Sequence, residues 1–499
     1  MLELQQYIPQ INLLYPEFVL TVWALFLLVA GIFVSKEKEG SVMSGLALIG
    51  LVVVSLFCVA GMGNKGITFS GSYAVDGFST FFKFVFLISG ILTILISGKY
   101  NRMEKIFRGE YYVLLYFSII GMFVIASAND IMVIYIGIEL MALSIYALVG
   151  FMKHDVRSNE AALKYFVLGS FSSGILLYGT SLLYGETSTT NLIDIQNTLI
   201  LHGYSKMAML GIILIIVGLA FKIAAVPFHL WCPDAYDGAP TAITAFMSVA
   251  PKAAGFAAFL RFFVVAVMPA KNEWYILLWL LSAFTMILGN VLAVSQDNVK
   301  RLLAYSSIAH AGYGLMGVVS AGRLIEITDG KLVFTEGGRM SIYAVLFYML
   351  AYMFMNIGAF TMVIFMRNNS LRGDRIEDFA GLARVKPMYG AIMTIFLLSL
   401  MGIPPLCGFV GKFYIFAAAI KSELYGLCVI GILTSAVSAF YYFKIIKTMY
   451  VDAPPADFEV MESGSMKIAL YASAFMTLLI GIFPGPFINF ARNSFLIFM

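Results

Sequence analysis

Residues 218–261 read GLAFKIAAVPFHLWCPDAYDGAPTAITAFMSVAPKAAGFAAFLR, and the fold turns on how this stretch is read. It opens inside an apolar run, residues 207–227, that has the length of a membrane helix yet carries Lys222 and closes on Pro227. Proline has no amide hydrogen and its ring crowds the carbonyl four residues earlier, here that of Ile223, so the helix should break. The amphipathic stretch FHLWCPDAYDGAPT, residues 228–241, follows before a second apolar run meets Pro251 and Lys252. Such backbone is tolerated at membrane depth only where protein or water satisfies the freed polar groups.

The same device recurs near the other end of the chain. Within the apolar run 389–420, the sequence GIPPLCGFVGK, residues 402–412, places two prolines, Pro404 and Pro405, and three glycines just before Lys412. Broken helices at corresponding places in two halves of a chain are the trace of a transporter built from internal repeats.

Working outward from these breaks, the rest of the chain reads as membrane helix. Hydrophobic residues make up 61% and charged residues 12%, with a mean hydropathy of +0.91, which excludes a soluble enzyme of this length. Apolar runs of about 20 residues, enough to cross a bilayer core, recur about fourteen times. They fall at 13–34, 41–62, 74–98, 111–128, 130–151, 160–184, 207–227, 241–267, 274–295, 301–321, 341–366, 389–420, 425–446 and 467–490. The expected fold is therefore all-α and polytopic, with the seventh and twelfth helices discontinuous. Their offset of five spans suggests two inverted five-helix repeats.

On this reading residues 1–110 hold helices one to three. Residues 111–267 form the first repeat, helices four to eight, and 274–450 the second, helices nine to thirteen. Residues 451–499 hold helix fourteen. The first span has neither a charged leader nor a small-residue cleavage pattern, so it is expected to be a retained helix. Lys and Arg in alternate loops divide about 17 to 8, and the positive excess assigns the richer set, including Lys36, Arg102, Arg157 and Arg384, to the cytoplasm. Both termini are then expected outside, in the periplasm.

Charge inside a bilayer marks function by default, because it costs several kcal/mol unless paired or hydrated. Lys83, Lys164, Lys222, Lys252, Arg261, Lys412 and Lys444 fall inside spans or at their edges, and Glu139 is the clearest interior acid. Lys83 and Lys444 lie near helix ends, where a long stem can carry the charge to the headgroups. Lys164 and Arg261 admit either reading. Lys222, Lys252, Lys412 and Glu139 are the candidate functional set, with His229 and His310 as relays, since imidazole exchanges protons near neutral pH. Burial disfavours an ammonium ion and a nearby carboxylate favours it. If Glu139 faces Lys222, separating them should release the lysine proton, and Lys252 and the histidines should pass it on to Lys412.

The motifs that carry these residues resemble a known family. The stretch 218–261, and its MSVAPKAAGFA segment above all, resembles the N-type antiporter-like membrane subunit of proton-pumping NADH:quinone oxidoreductase, respiratory complex I. YIGIELMALSIYALVGF at 135–151, EAALKYFVLGSFSSGILLYG at 160–179, NVKRLLAYSSIAHAGYGLMG at 298–317 and LSLMGIPPLCGFVGKFYIF at 398–416 resemble it too. The resemblance implies that Glu139 pairs with Lys222, that Lys164, Lys252 and Lys412 continue the path, and that His229 and His310 relay. It implies M-type and small membrane subunits as partners in a bacterial inner membrane. It also implies a complex that uses NADH, FMN, iron–sulfur clusters and quinone, none of them held by this chain. The related Mrp sodium/proton antiporters are the runner-up. The L-type subunit is disfavoured, because the chain ends soon after the fourteenth span.

Other readings are weaker. GMGNKG at 61–66 matches a dinucleotide fingerprint but follows a membrane helix, with no strand–helix–strand unit around it. Asn368, Asn369 and Ser370 match a glycosylation acceptor on the expected cytoplasmic side. Cys58, Cys232, Cys407 and Cys428 are scattered without metal-ligand spacing, and no basic patch with interleaved aromatics suggests nucleic acid. A purely structural membrane subunit would need fewer unpaired cations than three deep lysines against one acid. A substrate transporter would need a midplane pocket that the sequence does not assemble.

Overall fold

The computed structural model describes residues 10–328, 331–367, 373–455 and 458–496. The 368–370 acceptor sequence lies outside the described residues. Helices α1 (Tyr15–Phe33), α2 (Glu39–Ala60), α3 (Gly77–Met103), α4 (Gly109–Ser127), α5 (Ile131–Val149) and α6 (Val156–Thr187) come first. A short α7 (Leu192–His202) then leads to α8 (Lys206–Lys222), α9 (Trp231–Gly238), α10 (Thr241–Met247) and α11 (Ala250–Arg261). The second half holds α12 (Lys271–Val294), α13 (Val299–Leu324), α14 (Glu336–Phe365), the single turn α15 (Leu382–Val385), α16 (Pro387–Met401) and α17 (Cys407–Lys421). It ends with α18 (Tyr425–Tyr450), α19 (Gly464–Ile482) and α20 (Gly485–Asn493).

Among the described residues, 12 helical segments are long and apolar enough to cross a membrane. The expected seventh and twelfth spans are not among them, because each is two shorter helices. α8 stops at Lys222 and α9 starts at Trp231, while α16 stops at Met401 and α17 starts at Cys407. Two antiparallel hairpins, Gly66–Thr68 with Tyr73–Val75 and Ile325–Thr328 with Lys331–Phe334, close loops at the helix ends. GMGNKG links α2 to the first hairpin, with no strand–helix–strand unit around it.

Burial sorts the helices into a core and a shell. The α10–α11 segment is wholly buried and the apolar windows of α13 and α14 are 94% buried, whereas that of α1 is 17% buried. The apolar residues that α1 leaves outward, among them Phe18, Phe26 and Ile32, are what a lipid-facing helix presents. Helix starts are closed by side chains that accept from the otherwise orphaned amides: Asp76 at α3, Asp130 at α5, Asn298 at α13 and Ser463 at α19.

Close helix crossings are set by small residues. At Gly179 on α6, a Cβ would lie 2.7 Å from the carbonyl of Gly211 on α8, so only glycine lets the two backbones meet there. That contact holds α6 against α8 about three turns before Lys222 ends the helix, and further along the same pair of helices Ser173 lies beside the lysine.

Candidate proton-transfer site

α8 ends on Lys222, whose ammonium is thereby held at the negative end of the helix dipole. Lys222 is 4% exposed. Its Nζ donates to Ser173 Oγ on α6 at 3.2 Å, and Ser173 Oγ donates in turn to Glu139 Oε1 on α5 in a short hydrogen bond. The expected Glu139–Lys222 partnership is thus made through a hydroxyl, and no direct ion pair joins the two among the described residues.

The break after Lys222 is held by named donors. Trp231 Nε1 donates to the carbonyl of Phe221 at 3.1 Å, and the amide of Val226 donates to Thr285 Oγ1 at 2.9 Å. Ala224 takes the left-handed conformation, with φ +57°. Tyr165 stacks on Trp231 with centroids 4.1 Å apart and planes 7° from parallel, fixing the indole that caps the break. His229 lies within the break and is buried.

Lys252 stands in the first turn of α11 beside Pro251. Its Nζ donates to the carbonyl and the hydroxyl of Ser307 on α13, at 2.9 and 2.5 Å, and lies 5.8 Å from the ring centre of Tyr236. Three residues along the same face of α13, His310 Nδ1 is 2.6 Å from the hydroxyl of Tyr348 on α14. Three residues further, Tyr313 presents its ring face to Lys412 Nζ at 4.8 Å. Residues three apart share a helix face. One stripe of α13, formed by Ser307, His310 and Tyr313, therefore touches both Lys252 and Lys412.

Lys412 is 5% exposed and reaches across the second break. Its Nζ donates to the carbonyls of Leu400 and Met401 at 3.1 and 2.9 Å, and to Ser435 Oγ at 2.9 Å. These carbonyls are the open end of α16, left without amide partners by the Pro404–Pro405 break, so the lysine closes them. Neither Lys252 nor Lys412 has a carboxylate within ion-pair distance among the described residues. Each is a cation bound by neutral dipoles.

Lys164 sits apart from this line. Its side chain is 46% exposed and ion-paired to Glu160 at 2.7 Å and to Asp234 at 3.0 Å, while Asp234 also holds Arg301 at 2.8 Å. No hydrogen bond joins Lys222 to Lys252 among the described residues; Trp231, bound to the Phe221 carbonyl, packs edge-on against Tyr236, whose ring lies 5.8 Å from Lys252 Nζ.

Two of the edge cations are not where helix-end snorkelling would put them. Lys83 is 2% exposed and ion-paired to Glu17, which also accepts from the Tyr73 hydroxyl at 2.8 Å. Arg261, fully buried, binds both carboxylate oxygens of Asp76 at 2.9 and 3.0 Å and donates from Nε to the Ala126 carbonyl at 2.7 Å. Glu17 stands in α1 and Asp76 caps α3, both far away in sequence, so the pairs form only on folding. Lys444 does behave as a helix-end residue, half exposed and paired to Asp297 at 2.7 Å. The four cysteines are buried free thiols, and no group of three or more His, Cys, Asp or Glu able to hold a metal is found among the described residues.

Residues 128–438, which contain the whole α13 stripe and all four candidate proton carriers, match the family model described as NADH:quinone oxidoreductase/Mrp antiporter, TM. The NADH-quinone oxidoreductase subunit N of Trichlorobacter lovleyi is 42% identical over 97% of this chain and 96% of its own length. The chain belongs to the subunit N family. A chain in the structure of respiratory complex I from Thermus thermophilus with bound aureothin is 31% identical and superposes with a TM-score of 0.80, covering 96% of this chain and 99% of that one. A chain of the Mrp complex from Dietzia sp. has the same fold at 19% identity, with a TM-score of 0.81 and 97% of each chain covered. The fold is thus common to both branches, and it is the sequence that joins this chain to subunit N.

Proposed function

We propose that this chain is the proton-translocating subunit N of a bacterial NADH:quinone oxidoreductase, carrying protons while other subunits carry the electrons. NADH, FMN, iron–sulfur clusters and quinone then belong to those other subunits, and the M-type and small membrane subunits flank this one. The observation that carries the reading is the α13 stripe, which connects two buried lysines that have no counter-anion among the described residues. A buried ammonium bound only by carbonyls and hydroxyls can lose its proton without leaving a carboxylate unpaired, and the same dipoles receive the proton again. Static ion pairs such as Arg261–Asp76 lack that property.

Glu139, Lys222, Lys252 and Lys412 are the proton carriers on this account. Charge on Glu139, felt by Lys222 through Ser173, sets whether Lys222 holds its proton. His310 and His229 are relays, and Lys164, tied to Asp234 and Arg301, stands at the exposed end of the path. Pro227, Pro251, Pro404 and Pro405 keep the breaks in which the lysines sit. The path belongs to two inverted five-helix units, 111–267 and 274–450, flanked by 1–110 and 451–499, in a chain of fourteen spans. The cation-rich loops face the cytoplasm and both termini face the periplasm.

The test is NADH-driven proton uptake into inverted membrane vesicles carrying Glu139→Gln. The account expects pumping to fall severalfold with the assembled complex intact on a native gel. Full pumping by that variant would reduce Glu139 to a structural acid and the reading with it.

A further inference from the structure

A second site lies away from the proton path, where the outer helix α1 ends and α2 and the more buried α4 begin. A cleft of about 730 Å³ opens there. Its deep wall is apolar, formed by Leu27, Leu28, Gly31 and Ile32 of α1 and Val113 of α4. Its rim carries Lys36, Lys105 and Arg108, with Glu39 and Glu110.

Among the described residues the rim carries three cations against two acids. Glu39 and Glu110 each stand in the first turn of a helix, where the dipole offsets a negative charge, and Glu39 Oε1 accepts from the amide of Gly109 at 2.7 Å. Lys36, Lys105 and Arg108 are exposed and have no ion pair among the described residues. A smaller cleft of about 320 Å³ on the other side of α4 shares Lys105, Arg108 and Glu110, adds Lys153 and His154, and is backed by Leu114, Ala147 and Phe151. One cationic ridge at the head of α4 thus overlooks two apolar clefts.

We infer that the larger cleft is a binding site for an anionic phospholipid, with its phosphate on Lys36, Lys105 and Arg108 and an acyl chain along Leu28, Gly31 and Ile32. The depth agrees, because α1 ends at Phe33 and α4 begins at Gly109, so the rim lies where helices leave the hydrocarbon and the wall lies within it. The charge agrees as well, since basic pockets between membrane helices select anionic headgroups. Gly31 lines the cleft and presents no side chain to it, so an acyl chain can pass close along α1 there.

The experiment uses the intact complex reconstituted into vesicles of phosphatidylglycerol with a diazirine on one acyl chain, photolysed and mapped by mass spectrometry. Labelling should concentrate on Leu28–Ile32 and Val113 rather than on Phe18 and Phe26 of the same lipid-facing helix. Unlabelled phosphatidylglycerol should compete at least fivefold better than phosphatidylcholine. The double variant Lys36→Gln with Arg108→Gln should lose at least fivefold of the cleft label while Phe18 and Phe26 keep theirs. Equal competition by the two lipids, label spread evenly along α1, or a cross-link from the cleft to another subunit would each overturn the assignment. The competition arm needs no variant, so a failure of the double variant to assemble leaves the test standing.

Discussion

Lys222 and Glu139 communicate through one hydroxyl, with Ser173 Oγ accepting from the lysine Nζ at 3.2 Å and donating to the carboxylate. A hydrogen bond to a charged group contributes about 1.5–3 kcal/mol, and about 1.4 kcal/mol is a factor of ten in rate. Ser173→Ala should therefore slow pumping about tenfold or more, while Ser173→Thr, which restores the hydroxyl, should recover most of it. Vesicle acidification rates at saturating NADH give the comparison, and a wild-type rate in Ser173→Ala would show that the bridge plays no part.

Gly402 and Lys412 make a second test. Gly402 has φ +94°, and a Cβ there would sit 3.0 Å from Cδ of Lys412. Gly402→Ala should cost about 1–2 kcal/mol of backbone strain and push the lysine off the Leu400 and Met401 carbonyls. The expected result is a small fall in thermal stability with a large fall in pumping. Equal losses in both measurements would assign the glycine a structural role only.

Both breaks were legible because proline, glycine and lysine sit next to each other in otherwise apolar runs, a local signal that needs no tertiary knowledge. The partners of the lysines were not. Ser173 lies in SFSSG, where hydroxyls among small residues are ordinary helix surface, and only the packing of α6 against α8 turns this one toward Lys222. Lys83 looked like a helix-end cation and Arg261 admitted either reading, because their acids, Glu17 and Asp76, are 66 and 185 residues away in sequence. The α13 stripe was half visible. His310 was singled out as a lone imidazole, while Ser307 and Tyr313, which make the face continuous, carry no charge to draw attention.

The Asp76–Arg261 pair predicts a loss of assembly rather than of pumping. Removing one partner of a buried ion pair costs about 3–5 kcal/mol. Asp76→Asn keeps an oxygen to accept from the Ser79 amide at the start of α3 but leaves the guanidinium without its anion. The native-gel band of the complex should weaken strongly in Asp76→Asn and largely return in Asp76→Asn with Arg261→Met. A fully assembled single variant would contradict the structural assignment.

Lys164 should behave differently from the deep lysines. Its ion pairs are half exposed, and exposed pairs are worth about 0.2–1 kcal/mol. Lys164→Gln should leave assembly and thermal stability unchanged and reduce pumping less than Lys252→Gln does. Pumping and melting measured on the two variants in parallel decide the order of effect, and a larger loss in Lys164→Gln would move the limiting step to the exposed end of the path.

The most direct measurement is redox-driven proton pumping in membrane vesicles carrying Lys222→Ala or Lys412→Ala, with assembly checked by native gel. The account predicts that both variants assemble and that both lose most of their pumping, because each removes one of the buried cations through which the proton must pass. Normal pumping and turnover in both would leave the chain a scaffold and contradict the proton path.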